Sequence, residues 1–231
     1  MDSTKTLLLA AGITLILYLV PGGRVLGRPL VWLAVLVHEL GHGLTAMLLG
    51  GSFKRLQLWA NGSGAASYEG RFSPLTRSLI AAGGPLGPPL AALALFFAGG
   101  GRDSAHVALT VLAGTALLVA LVWVRNLFGF VFVLALSVAL GLLAWRATDP
   151  VAEFSCAFLA VQMSLSVFAR SDYLFRSQAR TVAGAIPSDT AQISQALGLP
   201  HWFWGGLIAL VSVAVVGFGV MRYAGMAWPW Q

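Results

Sequence analysis

The stretch VWLAVLVHELGHGLTAMLLGG, residues 31–51, sets two histidines and a glutamate inside one of the most apolar runs of the chain. The run is as long as a helix that crosses a bilayer, which takes about 20 residues. A charge at the centre of such a helix costs at least ~2.5 kcal/mol, so ionisable groups persist there when a partner or a function compensates them. On a helix His38 and His42 project from one face, one turn apart. Each can offer one imidazole nitrogen to a tetrahedral zinc, and Glu39 between them can reach a metal-bound water as general base. Zinc lowers the pKa of that water to ~7 and polarises a carbonyl, so the pattern implies metal-assisted peptide hydrolysis. The same five-residue pattern arises by accident in histidine-rich soluble chains. Here there are only 4 histidines and 8 acids, and two of the former and one of the latter fall in a single apolar segment.

The rest of the chain shares the character of that segment. Hydrophobic residues make up 58% of it and charged residues 10%, against roughly 25% charged in a soluble domain. Apolar segments at residues 6–20, 29–49, 78–98, 106–124, 127–145, 151–169 and 202–221 predict an all-α polytopic membrane protein of about seven transmembrane helices. Residues 1–231 read as a single membrane unit, since too little polar sequence remains for a separate soluble domain. The first segment follows Lys5 like a signal peptide, but LYLVPGGR offers no small-x-small cleavage site, so a retained helix is expected. The lone cysteine, Cys156, excludes a disulfide or a cysteine-based zinc site within one chain.

A net charge of +6 would fit nucleic acid if it were clustered, but the arginines are scattered among short loops and act as topology signals. Lys5, Lys54, Arg55, Arg71, Arg77, Arg125, Arg170, Arg176 and Arg180 fall on one side, and Arg24, Arg28, Arg102, Arg146 and Arg222 on the other. The bias places the amino terminus, the 50–77 loop and the 170–200 loop in the cytoplasm. A bacterial inner membrane is the expected setting.

Two loops are long enough to carry structure. GSFKRLQLWANGSGAASYEG alternates around Leu56 and Leu58 and turns at Asn61-Gly62, which predicts a small β-hairpin over about 53–69. RSDYLFRSQARTVAGAIPSDTAQISQALGLP, within about 170–200, ends in a short amphipathic helix capped by Ser188 or Asp189 and expected at the membrane surface. IAAGGPLGPPLAAL predicts that the third long helix opens with irregular backbone covered by protein or a water-filled cavity.

A catalytic zinc needs a third protein ligand. Asp2, Asp103, Asp149 and His106 read as solvated or interfacial residues, His201 as part of an aromatic belt beside Trp202, and Glu153 as lying at the wrong end of its helix. Three acids remain. Asp172, at the cytoplasmic end of the sixth helix, is favoured as the metal ligand; Asp189 and then Glu69, which lies 27 residues after His42, stand behind it.

An HELGH in a membrane helix, a hairpin after it, a Gly-Pro helix start and a late aspartate together resemble the site-2 protease family of intramembrane zinc metalloproteases, especially its small bacterial branch. The likeness spans about residues 31–205. It implies that His38 and His42 bind Zn2+, that Glu39 activates water, and that an aspartate of a later helix completes the site. Two motifs depart from the family pattern. Pro88 stands where a Gly-Pro-x-x-Asn motif carries its asparagine, and SDYLF shares only the aspartate with Leu-Asp-Gly.

The expected activity is therefore hydrolysis of a peptide bond in or near a transmembrane segment of a membrane-protein substrate, with the hairpin edge at 53–59 holding the unwound substrate as an added strand. The expected surroundings are the lipid bilayer, with no nucleic-acid partner. The alternative is a metal-binding transporter or regulatory scaffold without proteolysis. It leaves unexplained a carboxylate between the two histidines, and the repeats usual in transporters are not visible.

Overall fold

Residues 2–169, 174–181 and 184–226 are described by a computed structural model. Each of the seven apolar segments is helical in it. The order is α1 (Ser3–Leu19), α2 (Gly23–Leu26), α3 (Arg28–Leu48), β1 (Ser52–Leu58), β2 (Gly64–Glu69), α4 (Pro74–Ala98), α5 (Arg102–Val122), α6 (Leu127–Arg146), α7 (Asp149–Ala169), β3 (Gln178–Thr181), β4 (Gly184–Pro187), α8 (Asp189–Leu197) and α9 (His201–Tyr223). Among the described residues, α3 to α7 and α9 make 6 helices long and apolar enough to cross a membrane, and α1 is a shorter apolar helix. The protein is an integral membrane protein.

Helix α4 corrects one expectation. Ser73 caps it, its Oγ accepting from the Thr76 N–H, and the helix then runs unbroken from Pro74 through Pro85, Pro88 and Pro89. Each internal proline removes a backbone donor, so something must replace the lost stabilisation. The replacement is close packing on α3 through small residues. A Cβ on Gly41 would lie 2.1 Å from the Gly83 carbonyl oxygen, and one on Gly87 would lie 2.7 Å from that of Val37. The two backbones touch where the sequence suggested an irregular opening.

The hairpin forms as expected. Strand β1 pairs antiparallel with β2, and Gly62, at φ 83, makes the turn. The Asn61 side-chain Oδ1 accepts from both the N–H and the Oγ of Ser63. Phe53, Leu56 and Leu58 pack into a core with Val35 and Leu36 of α3 and Val119, Val124 and Val133 near α5 and α6. The outer edge of β1 is not free, contrary to the reading that made 53–59 a substrate edge. The Leu56 N–H donates to the Trp123 carbonyl at 2.7 Å, and the Arg125 N–H donates to the Leu56 carbonyl at 3.0 Å. Asn126 then mimics a strand residue, accepting from the Leu58 N–H at 3.1 Å and donating its amide to the Leu58 carbonyl. Among the described residues, the outer edge of β2 pairs with no other strand.

Behind α4, a second core of Phe96, Leu109, Cys156, Met163 and Tyr223 joins α4, α5, α7 and α9. Gln162 of α7 donates to the Thr14 hydroxyl of α1. After α7 the small β3–β4 hairpin leads into α8. Helix α8 is not merely a surface helix: Ile193 packs with Ala81, Leu174 and Ile208, so α8 is docked between α4 and α9.

Candidate metal centre

Helix α3 presents His38 and His42 from one face, and α8 brings Asp189 to them. The two Nε2 atoms are 3.2 Å apart. Asp189 Oδ2 lies 3.2 Å from Nε2 of His38, and Oδ1 lies 3.3 Å from Nε2 of His42. A tetrahedral zinc with ligands at about 2.0–2.1 Å holds neighbouring donors about 3.3 Å apart, and each of these three separations is close to that, with the Asp189 carboxylate facing one imidazole with each oxygen. Among the described residues, these three make the one group of histidines, cysteines and acids close enough to hold a metal ion. The donor set, two imidazoles and a carboxylate, is one that zinc accepts while keeping a position open.

The three candidate ligands are oriented by their surroundings. The Nδ1 of His42 lies 2.8 Å from the Ile80 carbonyl oxygen. A carbonyl can only accept, so Nδ1 carries the proton and Nε2 is left as the ligand atom. The helix that carries Ile80, α4, also packs against the ring at Gly84, which has no Cβ to strike it. Asp189 is buried, which by itself would raise its carboxyl pKa. Before any metal is held, protonation of His42 and hydrogen bonds from both imidazoles outweigh that burial and hold it below the usual carboxylate range.

Asp189 can face the histidines because it does not cap its helix. Ser188 is the N-cap, with its Oγ accepting from the Ala191 N–H at 3.2 Å. Glu69 is elsewhere: it is exposed at the end of β2 and pairs with Lys54 at 3.2 Å. Asp172, the favoured ligand from sequence, lies outside the described residues. His106 bonds the Ala144 carbonyl and meets Asp149 at 3.5 Å, and His201 bonds the Phe175 carbonyl, so both act between elements away from the centre.

The centre opens into a cavity of about 430 Å³ that also receives Glu39. One wall is the turn and the free edge of β2, including Gly64, Ala66 and Tyr68. Opposite it stand Pro85 and Pro88 of α4, and Ala179 and Ile186 come from the β3–β4 hairpin. Gly64 sits so close to Glu39 that a Cβ would meet its Cγ at 2.7 Å. Sequence reasoning missed Gly64, Tyr68, Gly84 and the Ile80 carbonyl. The glycine pair before Pro85 stood in a stretch read as an irregular helix opening, so its close approach to α3 went unread, and a main-chain carbonyl leaves no mark in a sequence.

A family model described as Peptidase M50B-like matches residues 8–219. No curated protein and no solved structure matches the chain.

Proposed function

Because the chain belongs to the Peptidase M50B-like family, that of the site-2 proteases, we propose that it is an intramembrane zinc metallopeptidase cleaving a peptide bond in or near a transmembrane segment of a partner protein. The observation that carries the reading is the His38–His42–Asp189 triangle with Glu39 in the same cavity, built on a helix apolar enough to span a membrane.

His38 and His42 would hold the ion through Nε2 and Asp189 through its carboxylate. Asp189 is preferred to Asp172 because its oxygens already complete the triangle. Zinc, when bound, supplies Lewis acidity toward water and the scissile carbonyl. The Glu39 carboxylate takes a proton from the attacking water and passes it to the leaving amine nitrogen as the C–N bond breaks. A substrate helix hides its amides, so the scissile segment must unwind. The free edge of β2 can then pair with it as an added strand alongside Glu39. The charge bias along the sequence puts the base of the hairpin, at Lys54 and Arg55, and the 170–200 loop on the cytoplasmic side, while the hairpin tip runs back along α3 to Val31 and Trp32; residues of both segments line this one cavity.

The test is Glu39→Gln in the full chain, reconstituted in proteoliposomes with a single-span reporter whose central turn is weakened by glycine. Zinc content should stay at the wild-type level while cleavage falls by about 10²-fold or more. Undiminished cleavage overturns the assignment. Zinc uptake by the wild type without any cleavage would point instead to a metal-binding scaffold.

A further inference from the structure

Hydrolysis at this centre needs more than a ligand triangle and a base. As water adds to the carbonyl carbon, the C=O electron pair moves onto oxygen, and a donor aimed at that oxygen is commonly the largest single protein contribution to rate. Among the described residues, the polar side chains lining the cavity besides His38, Glu39, His42 and Asp189 are Asn61, Ser63, Tyr68, Ser166 and Gln192. Most are committed elsewhere. Ser63 Oγ donates to Asn61 at 2.7 Å, Ser166 Oγ to the Met163 carbonyl at 2.7 Å, and Gln192 Nε2 to the Pro187 carbonyl at 3.3 Å. Asn61 is exposed at the hairpin tip with its side-chain Oδ1 fixed by Ser63. The Tyr68 hydroxyl makes no hydrogen bond among the described residues.

Its position on the strand gives Tyr68 access to the centre. Alternation puts Gly64, Ala66 and Tyr68 on one face of β2, opposite the buried Leu58, Leu56 and Phe53 of β1. Gly64 of that face touches Glu39. Tyr68, two pleats further on, stands in the fields of both Asp189 and Glu39 while its ring meets Phe72 edge-on at 6.0 Å. Burial first, and then those two carboxylates, raise the phenol pKa, so the side chain keeps its proton as a donor must.

We propose that the Tyr68 hydroxyl donates a hydrogen bond to the scissile carbonyl oxygen and to the oxyanion it becomes, which makes Tyr68 a catalytic residue of this site. The inference rests on the proteolytic reading above. In balance, the water oxygen bonds to the carbonyl carbon, Glu39 takes the water proton, and the oxygen charge is held partly by the Tyr68 O–H. Collapse then restores C=O, breaks C–N and returns the proton to the amine.

The experiment compares wild type, Tyr68→Phe and Tyr68→Gln as zinc-loaded full chains. Two probes are used: the single-span reporter, and a short phosphinic peptide whose tetrahedral P–O⁻ resembles the oxyanion. For Tyr68→Phe, zinc content and KM should hold, while kcat and phosphinate affinity each fall by about 10²-fold. Tyr68→Gln, which restores a donor, should recover part of the phosphinate affinity. Tyr68→Phe binding the phosphinate and cleaving as wild type overturns the inference alone. Loss of zinc from Tyr68→Phe, or no recovery in Tyr68→Gln, would make the residue structural and also overturn it. A wild type that neither binds the phosphinate nor cleaves the reporter overturns the proteolytic reading and this inference with it.

Discussion

A Cβ added at Gly84 would stand 2.1 Å from Nε2 of His42, so the imidazole occupies the space that any other residue at position 84 would fill. Helix α4 thus shapes the metal centre although it supplies no ligand. Gly84→Ala should push the ring off its Ile80 hydrogen bond and lower zinc affinity by about 10- to 100-fold, the range seen when groups behind metal ligands are lost. Zinc titration of the purified chain against a competing chelator measures this. Unchanged affinity would show that the ring moves freely.

Asp189, Asp172 and Glu69 can be ranked by metal content. Asp189→Ala removes one corner of the triangle and should abolish stoichiometric zinc binding, whereas Glu69→Ala breaks only an exposed pair with Lys54 and should leave it intact. Asp172→Ala is expected to retain zinc. Elemental analysis of the three purified variants decides it, and zinc lost from Asp172→Ala but kept in Asp189→Ala would reverse the assignment.

The helices and the meeting of His38 with His42 were legible because both depend on local pattern. Hydropathy marks a spanning helix wherever it packs, and a four-residue spacing aligns two histidines on any helix. The approach of Asp189, the proposed third ligand, was not legible for a physical reason. SerAsp at 188–189 offers two capping side chains, and only packing of α8 on α4 decides that Ser188 caps while Asp189 turns to the histidines. The proline-rich start of α4 misled in a similar way. Local propensity predicts a break there, and the glycine contact with α3 overrides it. The free hairpin edge depended on Asn126, 68 residues from Leu58, which no local rule would pair with it.

That clamp should carry stability. Asn126→Ala deletes both hydrogen bonds to Leu58 and leaves a part-buried N–H and C=O without their partner. The expected loss is about 1–3 kcal/mol, read as a lower Tm in detergent. Asn126→Asp keeps the acceptor but not the donor and should fall between. Equal Tm values for wild type and Asn126→Ala would mean that the backbone pairing of Leu56 with Trp123 and Arg125 suffices alone.

Gly64 offers a way to disturb the base without touching the ligands. A Cβ there would meet Val35 Cγ1 at 2.6 Å and Glu39 Cγ at 2.7 Å, with Oε1 at 3.0 Å. Val35 is buried in the hairpin core and has little room to yield, so Glu39 must rotate or β2 must lift. Either response shifts the carboxylate from the position in which it can take a proton from water, because productive geometry tolerates only about 0.5 Å of error. Gly64→Ala should therefore keep wild-type zinc content, since His38, His42 and Asp189 are not displaced, and lose most of its cleavage of the single-span reporter. Joint loss of zinc and cleavage would mean that the hairpin braces the whole centre. Full activity would mean that Glu39 has room which the close approach of Gly64 denies it.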